Sequence, residues 1–98
     1  MSEQQLARLL QKAKTALRQK NPQFDDEVID LIKSGIQDLE TRGVVIDTSK
    51  DLEPIVQRCV LTYVRMNFGQ PDDYDRLKES FDEQLGQLMT TTGFTVWG

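Results

Sequence analysis

The chain has 98 residues, enough for one modest hydrophobic core and too few for a second folding unit. With 38% apolar and 29% charged residues its composition is ordinary for a soluble domain, and no apolar run approaches the ~20 residues of a membrane span. A formal charge of -4 argues against a protein that grips nucleic acid by neutralising phosphates.

Leu6, Leu9, Leu10, Ala13 and Leu17 recur at three- and four-residue steps, which predicts an amphipathic helix over about 3–18. Asn21-Pro22 ends it, because proline disfavours helical backbone in the residue before it. The same region holds Arg8, Lys12, Lys14, Arg18 and Lys20 against Glu3 alone, a local charge of +4 that leaves -8 for the remainder. Complementary potentials of this kind guide subunit or partner docking. A basic, solvated helix face is the plainer reading and stands beside it.

A second helix is predicted over about 25–42, with Val28, Leu31, Ile32, Ile36 and Leu39 as its apolar face. Asp25-Asp26-Glu27 suits the positive end of that helix and supplies capping side chains, and Phe24 is placed to staple onto Val28 or Ile29. Arg42-Gly43 closes it with a cation and a glycine able to take a left-handed cap. Val44-Val45-Ile46 is strand-like in composition but only three residues long, and reads as a connection packed on the core. Asp47 to Asp51 supplies turn and cap residues.

Helix three is expected over about 52–67, with Pro54 in its first turn. Its apolar set, Leu52, Ile55, Val56, Cys59, Val60, Tyr63 and Val64, is wide enough to make it the central helix, leaving Arg58, Thr62 and Arg65 as a polar stripe. Phe68-Gly69-Gln70-Pro71 is a stop, and Asp72-Asp73 is an acidic start for a fourth helix over about 72–89, carrying Tyr74, Leu77, Phe81, Leu85, Leu88 and Met89 on one side. Residues 90–98 change character: they are uncharged and rich in β-branched and aromatic side chains. Extended at ~3.3 Å per residue, this tail reaches roughly 30 Å. Thr92, Phe94, Val96 and Trp97 are candidate partner contacts, because Phe94, Val96 and Trp97 left free would expose large apolar area. Folding back over the subunit's own core is the alternative. The expected fold is all-α: a single domain, 1–98, built as a compact bundle of about four helices with an extended C-terminal tail.

Residues for catalysis are scarce. Histidine, the usual general base near neutral pH, is absent, so the single cysteine, Cys59, has no imidazole partner and reads as a buried structural thiol. The carboxylates sit at helix starts, where capping explains them, and the glycines are too scattered for a phosphate loop. Too few zinc ligands are present, and the carboxylate spacing is not that of a calcium loop. No catalytic residue, cofactor or metal site is expected. A helix-turn-helix-like DNA-binding regulator built on helix three is the rival function, opposed by the acidic surroundings of Arg58 and Arg65. Met1-Ser2-Glu3-Gln4-Gln5 lacks the features of a secretory signal, so the cytoplasm of the cell that makes it is the expected site of synthesis.

From Val60 to Leu77, the run Val60-Leu61-Thr62-Tyr63-Val64-Arg65-Met66-Asn67-Phe68-Gly69-Gln70-Pro71-Asp72-Asp73-Tyr74-Asp75-Arg76-Leu77 resembles the head-tail connector family of long-tailed phages, also labelled phage DNA-packaging proteins. The likeness continues from Ser80 to Thr95, and Lys12 to Arg18 and Phe24 to Val28 are similar to the opening of the same family. Asn67-Phe68-Gly69 followed by Pro71-Asp72-Asp73-Tyr74 is its most specific part. Leu85 and Cys59 depart from the family pattern and bear on packing detail. The resemblance implies a virion protein of the neck, made in the host bacterium, whose copies form a dodecamer-like ring beneath the portal protein. Such a ring extends the DNA channel, helps to retain packaged DNA, and offers a platform to the next tail-completion or stopper protein. DNA would pass without sequence-specific binding, and no membrane is involved. A ring needs head-to-tail contacts, for which Arg8, Lys12, Lys14, Arg18, Arg58, Arg65, Asp72 and Asp73 are the candidate subunit-interface residues.

Overall fold

Helix α1 (Glu3–Leu17) starts from a reciprocal cap that the sequence reading passed over. The Gln5 amide donates to the Ser2 hydroxyl at 3.1 Å, and the Ser2 amide donates to Gln5 Oε1 at 2.7 Å. Two of the amides that a helix start leaves unpaired are thereby satisfied. The other end is costlier: Arg18 closes the helix in the left-handed region at φ 55, the one non-glycine residue with positive φ among the described residues. Its amide reaches Thr15 O, and the Gln19 amide reaches Lys14 O. That conformation costs an L-residue roughly 1 kcal/mol. Arg18→Gly is therefore expected to raise stability by about 0.5–1 kcal/mol, visible as a higher denaturation midpoint. A lowered midpoint would show that the Arg18 side chain earns more than its backbone loses.

The computed structural model describes residues 1–91. After α1, Asn21 accepts from the Gln23 amide and opens a short 3-10 turn, Pro22–Phe24, that runs straight into α2 (Asp25–Thr41). Here one expectation, capping of α2 by its acidic start, changes. Phe24 lies at the helix start but makes no side-chain cap, and its ring packs edge-on against Phe68, with centroids 5.7 Å apart. Asp25 turns away to an ion pair with Lys14 at 2.8 Å. The N-cap position falls on Phe24, so Asp25 is already the first residue of the helix, and its carboxylate is set against the Lys14 ammonium while its amide is engaged by the 3-10 turn.

The α2 terminus behaves as predicted. Gly43 takes φ 99, its amide bonds Glu40 O, and the Val44 amide bonds Leu39 O, the paired return bonds of a glycine-closed helix. Leu39 and Val44 are both buried, so the apolar contact that accompanies this closure is present. Val44 is covered, Val45 exposed and Ile46 half-buried, as fits a connection lying on the core.

Helix α3 (Pro54–Asn67) begins two residues later than expected, with Pro54 at its first position. It packs against α1, α2 and α4 alike, which confirms it as the central helix. Cys59, Val60 and Val64 have no exposed surface. Thr62, expected on a polar stripe, is buried instead, and its hydroxyl donates to Arg58 O one turn back. That local bond lets a hydroxyl enter the interior unpaired by anything distant. On the α2 side, Gly35 is buried under Tyr63: a Cβ at that position would sit 3.0 Å from the Tyr63 ring. The absent side chain is what allows α2 and α3 to approach there.

Gly69, at φ 65, turns the chain after α3, and α4 (Tyr74–Thr90) follows, starting two residues beyond Asp72. Among the described residues α4 packs on α3 alone, through Leu77, Phe81 and Leu88. The result is a slab of 40 × 32 × 18 Å with one core shared by four helices and no strand in the described residues. Fully burying a leucine- or valine-sized side chain is worth about 1.5–3 kcal/mol. The eight largest fully buried side chains, Ile32, Leu39, Leu88, Val28, Val56, Val60, Val64 and Cys59, therefore dominate what holds the slab together.

Candidate functional site

Cys59 is the first group to place. Its thiol is free and buried, and burial pushes it up to about 12 from an ordinary value of 9.0. A thiol in that state is a packing group. Among the described residues no three His, Cys, Asp or Glu side chains converge on a metal-sized site, and no helix is long and apolar enough to cross a membrane. The surface is consequently where binding chemistry has to be sought.

The cations of α1 divide into three environments. Arg8 reaches Asp51 at 2.6 Å and Lys12 donates to Gln57 Oε1 at 3.0 Å, so both lie along the seam between α1 and α3. Asp51 lies in the segment leading into α3 and Gln57 in its first turns, so the two contacts tie α1 to the start of α3. Lys14 has a side chain only 12% exposed, held by Asp25. Arg18 and Lys20 stand at the end of α1, beside a shallow concavity shared with Gln11, Lys14, Thr15 and Gln19. The asymmetry of charge along the sequence is thus partly consumed inside the subunit, where it sets how α1 lies on its neighbours. An exposed pair such as Arg8–Asp51 adds less than about 1 kcal/mol, so its contribution is to register more than to stability.

On α3, Arg58, Leu61 and Arg65 follow one another at three- and four-residue spacing and share the outer side. Neither arginine has an ion-pair partner among the described residues. Arg65 lies near Asp73, whose carboxyl is held below the usual carboxylate range mainly by the Arg76 guanidinium at 2.6 Å, with a smaller pull from Arg65. Asp73 precedes α4 without capping it, again because a guanidinium claims the carboxylate. Asp72 is exposed. Asp47, in the turn before α3, is likewise held low by hydrogen bonds from Ser49.

The sequence reading missed the outer side of α4. Asp75, Glu79 and Glu83 recur every four residues on its exposed face, whereas Lys78 answers Asp82 at 3.4 Å. Like charges at that spacing oppose a helix by a few tenths of a kcal/mol per pair. None of the three has an ion-pair partner among the described residues. Their four-residue spacing, opposite the apolar side of α4, was visible in the sequence, but nothing there told that these carboxylates would lack ion-pair partners within the described residues.

The predicted interface residues therefore do not form one patch. Arg8 and Lys12 lie on the α1–α3 seam, Lys14 is committed to Asp25, Arg58 and Arg65 form the α3 stripe, and Asp73 is committed to Arg76. The tail candidates Thr92, Phe94, Val96 and Trp97 lie outside the described residues.

The sequence model of a family described as phage connector protein matches residues 9–94. No curated protein and no solved structure matches the chain.

Proposed function

This chain belongs to the phage connector protein family, and from that membership we propose that it is a head-tail connector subunit acting by assembly. The family is a structural one and places the protein in the virion, in contact with phage portal or tail proteins. In the proposed role, copies form a dodecamer-like ring below the portal, extend the DNA channel, help to retain packaged DNA and receive the next tail-completion protein. The observation that carries the reading is a family match spanning nearly the whole chain. Support comes from a slab with charged faces on both α3 and α4 that the described residues leave uncovered. The tail, with Phe94, Val96 and Trp97, is the proposed portal contact. The chain's net charge of -4 suits a channel through which DNA slides without being gripped.

Electron cryo-microscopy of heads made with this gene disrupted tests the proposal. Tailless heads that leak DNA are the expected result, and normal tail attachment would sink it. A gel shift at physiological salt separates the connector from a DNA-reading regulator, since the connector is expected to give no sequence-specific complex.

A further inference from the structure

We infer that the α3 stripe Arg58–Leu61–Arg65 of one copy receives the α4 stripe Asp75–Glu79–Glu83 of a second copy, an inference that rests on the ring reading and deepens it. Each stripe carries a single sign of charge, is exposed or half-exposed, and has no ion-pair partner among the described residues. The spans correspond. At 1.5 Å of rise per residue, Arg58 to Arg65 covers about 10 Å and Asp75 to Glu83 about 12 Å. Leu61 sits between the two arginines, half-buried, and supplies an apolar centre that would close off water between flanking charges. The two stripes belong to different helices, and among the described residues α4 packs on α3 alone and nothing covers its outward side. Contact between two different surfaces of the same chain is the head-to-tail kind, which continues from copy to copy. The arrangement also accounts for carboxylates repeated every four residues along α4: the repulsion they impose on the isolated subunit is relieved when guanidinium groups lie across them.

Disulfide trapping in the full chain tests this, because Cys59 is buried and leaves a silent background. Leu61→Cys/Glu79→Cys is expected to give a ladder of covalent oligomers on oxidation, at least tenfold above a control pair, Leu61→Cys/Gln37→Cys, whose second site is on the outer side of α2. High salt should suppress the ladder. Adding Arg58→Glu and Arg65→Glu should abolish it, and adding Asp75→Lys and Glu83→Lys as well should restore it, which misfolding would not do. A ladder no stronger than the control, or one indifferent to the charge reversals, overturns the inference, the α4 carboxylates then facing a different protein. The ring reading is judged separately by the disrupted-gene heads, so either conclusion can fail alone.

Discussion

Phe81→Ala is expected to cost about 3–5 kcal/mol and to release α4 before the rest of the domain unfolds. Phe81 is 3% exposed and packs its ring against Tyr63, with centroids 6.0 Å apart. The Arg42 guanidinium lies 5.8 Å above the same ring, bridging from the end of α2 while also pairing with Asp38. Because α3 is the one helix that α4 packs on among the described residues, losing its one buried aromatic side chain, and with it the contact to Arg42, removes a large share of its attachment. Domains of this size have total stabilities of about 5–15 kcal/mol, so the loss is a substantial fraction of the whole. Hydrogen exchange is the discriminating measurement. Amides of Tyr74–Thr90 should lose protection first, while those of α2 and α3 keep most of theirs. Uniform loss across all four helices would mean that α4 is not a separable unit.

Cys59 is expected to make the fold alkali-sensitive in a window set by its own titration. The unfolded thiol ionises near 9.0 and the folded one near about 12, because burial disfavours the thiolate. Below the lower value both states hold the proton, so the stabilising difference is fully present and flat. As pH rises through the window the unfolded state sheds its proton and the native state does not. Stability then falls by up to ~1.4 kcal/mol per pH unit. Cys59→Ala should flatten that part of the profile relative to the parent, at the cost of a lower plateau from the cavity it leaves. Alkylation gives an independent reading. A three-unit rise leaves a ~1,000-fold smaller thiolate fraction, so modification at pH 8 should be slower than for a free thiol by at least that factor. Rapid labelling in the native state would contradict the burial.

The two predictions rest on features of unequal visibility. Cys59 was legible as a core residue, because Val56, Val60 and Tyr63 surround it at helical spacing. That α3 would be central was legible for the same reason: its apolar positions cover too much of the helix circumference for a surface element. Phe81 was legible as apolar and inward-facing, but not as the residue joining α4 to both Tyr63 and Arg42. The Ser2–Gln5 cap carried a readable spacing and was overlooked, whereas the strained conformation of Arg18 left no trace in residue type.

The acidic residues show the boundary most clearly. Asp25 and Asp73 were read as helix caps from their positions, and each instead serves a cation, Lys14 in one case and Arg76 in the other. The local sequence offers such a carboxylate several donors, and the choice falls to whichever charged group packing brings within reach. The interface candidates follow the same rule. Lys14 was a plausible external contact until α2 folded Asp25 against it, and Asp75, Glu79 and Glu83 acquired meaning only when α3 covered the opposite side of their helix.

The sequence by itself determined four helices, their order, the central place of α3 and most of the core, Thr62, Met66 and the exposed Tyr74 excepted, since apolar periodicity and chain-breaking residues act over a few neighbouring positions. Only the tertiary structure decided which charges are spent inside the subunit and which remain to meet another copy. Ion pairs depend on distances between segments far apart in the chain, and those distances exist only once the apolar faces have packed.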